Sequence, residues 1–192
     1  MTYYGGKDLA ASFRTVRKNT VQIAEEIPED KYGYRAAPES RTVGQTLVHI
    51  AVAPGFQEYT HRNKVTDLKT VPFMELLQKF SAEETKPRSK AETVAFLKAE
   101  GEKFAMYLES LPDGFLAEQV TMPPGAPTAT KSRFEMLLSP KEHEMHHRGQ
   151  LMVVQRMIGL VPHLTREQQQ RMAQMAAAAQ GAETPNRATA QV

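Results

Sequence analysis

The sequence predicts an all-α protein, a four-helix bundle with an additional C-terminal helix. Four long stretches repeat apolar residues at the spacing of one helix face, and two of them open on a capping-box pattern. Between them no run of alternating polar and apolar residues suggests a sheet, which leaves helices packed on helices. The first helix is expected over residues 7–27, where Leu9, Phe13, Val16, Ile23 and Ile27 recur at helical spacing and Pro28 closes the run. A loop with Gly33 and Pro38 follows. The second helix starts at Thr42, whose hydroxyl caps it while Gln45 reaches back. Val43, Leu47, Ile50 and Phe56 share its apolar side, His49 lies beside them, and Pro54 kinks or ends the regular part.

Residues 63–72 read as loop and residues 73–80 as a short helix. The third long helix is capped by Ser89 with Glu92 as box partner, turns Val94, Leu97, Phe104 and Leu108 inward, and ends near Pro112. Residues 112–130 contain Met122-Pro123-Pro124-Gly125-Ala126-Pro127, a composition expected to stay irregular and to form a lid or a packed crossing loop. The fourth helix spans residues 131–158, bent by Pro140 just before a histidine cluster and stopped by Gly159. Residues 165–180, rich in Gln and Ala and polar on most faces, are expected to form either a helix packed at an edge or on another subunit, or a marginal one. The expected organisation is one bundle domain over residues 1–165, a helical extension over 166–180 and a disordered tail over 181–192.

The composition narrows the function classes. With 192 residues, 41% apolar and 24% charged, the chain suits one soluble domain with a real core. Its net charge of +2 comes from interspersed signs with no basic stripe, so no nucleic-acid partner is expected. Ten methionines and no tryptophan point to a core filled partly by Met. The absence of cysteine removes disulfides, a thiol nucleophile and thiolate metal ligands. The first residues lack the basic and apolar runs of a signal peptide, and no stretch approaches the ~20 apolar residues of a membrane span. No membrane partner is therefore expected, and the expected location is the cytoplasm.

Three of the six histidines fall within His143-Glu144-Met145-His146-His147. His143 and His147, just over one helical turn apart, stand on one face at the spacing with which two imidazoles grip one metal ion. A useful site needs a third ligand, and a catalytic zinc keeps a further position open. His49 is the best candidate, because an unpaired imidazole beside the apolar face of the second helix would be costly and that helix can face the fourth across a bundle. At 100° per residue, Glu144 and His146 lie about 80° to either side of the pair's centre. They are expected to flank it, orienting a ligand or moving a proton. His61 and His163 read as surface residues.

The same five letters spell the His-Glu-x-x-His signature of zinc proteases, with Glu144 as base. Its longer form fails, since Gln150 and Val153 stand where Gly and His belong. Glu167 as a third ligand is separated from the pair by the Pro162 loop, and no strand is evident to hold a peptide.

His143 to Gln150, reading His-Glu-Met-His-His-Arg-Gly-Gln, resembles the His-x-x-x-His-Arg-Gly-Gln signature of the DinB/YfiT-like family of metalloenzymes. The segment from Thr42 to Ala51, one His in an apolar helix, is similar to the family's earlier segment, and Gly159-Leu160-Val161-Pro162 follows the last helix in the same order. The resemblance covers nearly all of residues 5–165. It implies a four-helix bundle holding a divalent metal, zinc or nickel, on His49, His143 and His147. Several relatives join a low-molecular-weight thiol, such as bacillithiol or mycothiol, to an electrophile in detoxification or stress response. The resemblance thus implies a thiol S-transferase with a small-molecule thiol and an electrophile as partners, and a homodimer using the segment after residue 165. The alternatives are a metal-binding structural or interaction protein without catalysis, and a hydrolase using Glu144 as base.

Overall fold

The computed structural model describes residues 4–182. Its elements run α1 (Gly6–Glu26), α2 (Val43–Val52), α3 (Pro54–Arg62), α4 (Phe73–Thr85), α5 (Lys90–Glu109), α6 (Asp113–Ala117), β1 (Gln119–Thr121), β2 (Thr130–Ser132), α7 (Arg133–Met157) and α8 (His163–Ala182). The four long amphipathic segments become α1, α2, α5 and α7. α1 packs chiefly on α5 and then on α7, whereas α2 packs on α5 and α4 and more lightly on α7. That last contact places α2 against α7, as a shared site requires.

Local signals set most boundaries. The Thr42 hydroxyl accepts from Gln45 N and the Gln45 side chain accepts from Thr42 N, at 3.1 and 3.0 Å, and Ser89 and Glu92 repeat the device at α5. Pro54 is the first residue of α3, where its missing N–H costs nothing. α7 ends as Gly159 enters the left-handed region at φ +85°, with Leu160 N donating to Gln155 O and Gly159 N to Arg156 O. Pro140 lies buried inside α7 without ending it.

The core has two layers. Ile23, Ile27, Leu47, Ile50, Leu97 and Leu151 centre one; Leu9, Phe13, Phe104, Leu108 and Leu137 centre the other. A buried ion pair separates them. Arg17 Nε lies 3.0 and 3.1 Å from the two carboxylate oxygens of Glu144, and its guanidinium also donates to Leu97 O at 2.6 Å and Ile50 O at 3.2 Å. One side chain thus ties α1, α2, α5 and α7 together. Gly101 leaves room for it, since a Cβ there would sit 2.7 Å from Arg17 Nη1. Among the described residues only Met136 represents methionine in the buried core, contrary to the expected Met-rich interior. Branched and aromatic side chains fill the core, and Met74, Met106, Met145, Met157, Met172 and Met175 lie on outer faces.

Residues 112–130 are more regular than expected. They form α6 and a two-stranded antiparallel hairpin pairing Gln119 with Ser132, Val120 with Lys131 and Thr121 with Thr130. Val120 is fully buried, and Thr121 N donates to Thr66 O, so a three-residue strand is held by one apolar anchor and a neighbouring loop. The expected short helix at residue 73 extends to Thr85. From residue 168 to 180 every α8 side chain is exposed. The expected tail lies outside the described residues apart from its first two positions, which continue α8. No helix among the described residues is long and apolar enough to cross a membrane.

Candidate metal centre

α2 and α7 bring His49, His143 and His147 into one cluster in which one ring nitrogen from each lies within 4.8 Å of the others. His143 Nε2 sits 3.0 Å from His49 Nε2 and 3.2 Å from His147 Nε2. The remaining nitrogens determine what those three can do. His49 Nδ1 donates to Glu84 Oε1 at 2.6 Å, and His147 Nδ1 donates to Gln150 Oε1 at 2.8 Å. With the hydrogen assigned to Nδ1, each of these two rings presents a lone pair at Nε2. Two lone pairs then converge on the Nε2 of His143, and a single proton can bridge only two of the three nitrogens. A shared cation satisfies all three, so the donor set fits a divalent ion. His143 Nδ1 is buried without a hydrogen-bond partner.

Burial, reinforced by His147 and His49, pushes His143 down to about 4. Burial likewise lowers His147, with Gln150 opposing the shift. Both rings are therefore neutral near pH 7, the state in which imidazole binds a metal. Behind His49, Glu84 also accepts from Arg41 Nε at 2.6 Å. Behind His147, Gln150 Nε2 donates to His146 Nε2 at 3.1 Å, and the His146 ring packs edge-on against His147 with centroids 4.9 Å apart.

Beside His147 opens a cleft of about 730 Å³. Val43, Leu151 and Val154 give it apolar walls, while Arg41, Glu39 and Gln150 add polar ones. The residues that frame it come from α2, α7 and the loop before α2. The lid expected from residues 112–130 is not there: none of them lines the cleft, because the hairpin is bonded to the loop after α3 instead.

Three expected placements need correction. Glu144 does not flank the triad as a base; it is 1% exposed and engaged with Arg17 in the core. Its position on α7, a quarter turn from His143, points it at α1. His61 and His163 are buried rather than superficial. His61 accepts from Arg133 Nη1 at 3.1 Å and donates to Gln57 Oε1 at 3.1 Å, while His163 Nε2 contacts Asn19 Oδ1 at 3.4 Å. Each lies at a helix end that docks onto the bundle, which polar sequence neighbours do not reveal. Gln150 and Glu84 escaped notice as site residues. Gln150 stood in the recognised signature without a role, whereas nothing marks Glu84 apart from Glu83 beside it.

Solved structures share this fold. YfiT from Bacillus subtilis, described as a probable metal-dependent hydrolase with an unusual four-helix bundle topology, superposes with a TM-score of 0.64 at 13% identity, over 83% of this chain and 91% of its own. A DinB-like protein from the same organism gives 0.58 at 21% identity, over 79% and 92%. An uncharacterized protein from Clostridium difficile 630 gives 0.61 at 16%, over 81% and 98%. At these identities the likeness concerns the fold. No curated protein matches the sequence. The family model described as DinB family does match, over residues 2–183, and the chain, with its bundle and its three gathered histidines, belongs to that family.

Proposed function

We propose that this protein is a divalent-metal enzyme, with zinc or nickel on His49, His143 and His147, that transfers a low-molecular-weight thiol to an electrophile. The observation that carries the reading is the convergence of three imidazoles, one of which, His147, lines an open, largely apolar cleft. A divalent ion held there by His49, His143 and His147 would supply the positive charge that acidifies a bound thiol. The chain's own residues supply the rest. Gln150 and Glu84 hold the imidazoles of His147 and His49 in register. Val43, Leu151 and Val154 offer an apolar surface to an electrophile, and Arg41 stands at the rim for an anionic group. With no cysteine in the chain, the sulfur arrives with the cosubstrate. Such thiols are kept reduced in the cytoplasm, the location proposed here. Self-association through α8, with exposed Met172 and Met175, belongs to the same proposal.

The description of the Bacillus subtilis relative favours a second reading, hydrolysis with water in place of the thiol. Glu144 is committed to Arg17, so it does not serve as the proton acceptor in that case. A purely structural metal site predicts a closed cluster, which the open cleft beside His147 does not support.

A thiol-consumption assay separates these readings. Zinc- or nickel-loaded protein is offered bacillithiol, mycothiol or glutathione with a generic aryl halide, and an activated ester in parallel. Thiol consumption that requires metal and disappears in His49→Ala is the expected result. Ester cleavage without thiol consumption would replace the transferase reading with the hydrolase one.

A further inference from the structure

α4 buries none of its residues, yet one of its side chains reaches the histidine cluster. Glu84, next to the last residue of α4, is 11% exposed and divides its carboxylate between two partners. Oε1 accepts from His49 Nδ1 and Oε2 from Arg41 Nε, each at 2.6 Å. Its neighbour Glu83 turns to the outer side and pairs with Lys86 and Arg88. The three imidazoles are therefore supported unequally: His49 by an anion, His147 by the neutral amide of Gln150, and His143 Nδ1 by no partner.

We infer that Glu84 is a positioning residue of the metal centre: it fixes the ring and tautomer of His49 so that Nε2 presents its lone pair, and Arg41 holds the carboxylate in place. The inference rests on reading the triad as a metal site and assigns to α4 a role that the five-residue motif does not contain. An imidazole free at Nδ1 can flip about its ring axis or place its hydrogen on Nε2, and either change removes it from the ligand set. A charged acceptor on Nδ1 prevents both and makes Nε2 a stronger donor. Arg41 offsets the carboxylate's charge and leaves it one orientation, because both oxygens are then in use.

The test is zinc affinity of the full chain, measured by competition with a chromophoric chelator, together with the visible spectrum of the cobalt-loaded protein. Glu84→Gln is expected to weaken zinc binding about 10- to 100-fold at unchanged stoichiometry and helical content, and to shift the cobalt bands. Glu84→Asp should recover part of the loss, while Glu83→Gln should stay within about twofold of wild type. Should Glu84→Gln not fold, Arg41→Gln carries the test and must weaken binding more than Glu83→Gln does. An affinity within about twofold for Glu84→Gln, or an equal loss in Glu83→Gln, overturns the inference and leaves the triad intact. A wild-type chain that takes up neither zinc nor cobalt overturns the metal reading, and this inference with it.

Discussion

On one side of α7, His143 and His147 turn their ring nitrogens to His49 next to an open cleft. A quarter turn around the same helix, Glu144 is sealed in the core against Arg17. The two sides belong to one five-residue motif and differ in what water can reach. The histidine side gathers three half-buried imidazoles whose ring nitrogens converge on one point. The carboxylate side is complete as it stands, with its charge matched and the guanidinium shared among four helices. The same letters that elsewhere pair a base with a metal here separate a structural charge from a ligand pair. A motif fixes spacing along a helix, and the neighbours packed on each face decide its chemistry.

That contrast can be broken or sharpened by experiment. The largest effect is expected on the carboxylate side: Glu144→Ala leaves Arg17 buried and unpaired, at a cost of about 3–5 kcal/mol in urea unfolding. The loss should be the same with and without metal. A change below about 1 kcal/mol would mean that water reaches the pair.

The next effect concerns His61, whose imidazole is held neutral by burial and by Arg133 and lies down at about 4. The unfolded chain binds a proton below about 6.5 that the folded protein refuses. Stability contributed by neutral His61 is therefore full above pH 6.5 and is lost as pH falls toward 4, by about 3 kcal/mol. The stability gap between wild type and His61→Gln should shrink by that amount over this window, and parallel curves would contradict it.

On the histidine side the effect appears only with metal. Zinc at a hundredfold excess over its dissociation constant should stabilise the protein by about 2.7 kcal/mol, and His143→Ala should abolish that gain. The smallest effect is expected for Gln150→Ala, which touches His147 from outside. Metal affinity should fall about tenfold, while stability without metal stays within about 0.5 kcal/mol.

What the chain reveals before folding follows from the range of each interaction. The caps at Thr42 and Ser89, the stop at Gly159 and the faces of α1 and α5 depend on residues three or four apart, and they are readable. The approach of His49 to His143 is readable only because three histidines in two amphipathic helices have few other uses. The hairpin is not, since three residues are too few to show a period and its stability comes from the buried Val120 and the bond to Thr66. Arg17 and Glu144 are 127 residues apart, and Glu84 lies 35 from His49 near the end of a helix whose apolar residues, among them Phe73, Leu76, Leu77 and Phe80, all precede it. Nothing local to either carboxylate distinguishes the one locked in the core from the one behind the ligand. His61 and His163 mislead for the same reason, because docking rather than local polarity buries them.

The central claim is that His49, His143 and His147 form one metal site across α2 and α7, and the metal content of purified protein tests it most directly. Elemental analysis after dialysis should find one equivalent of divalent metal per wild-type chain and almost none in a folded His49→Ala variant. Full stoichiometry in that variant, or none in wild type, would contradict it.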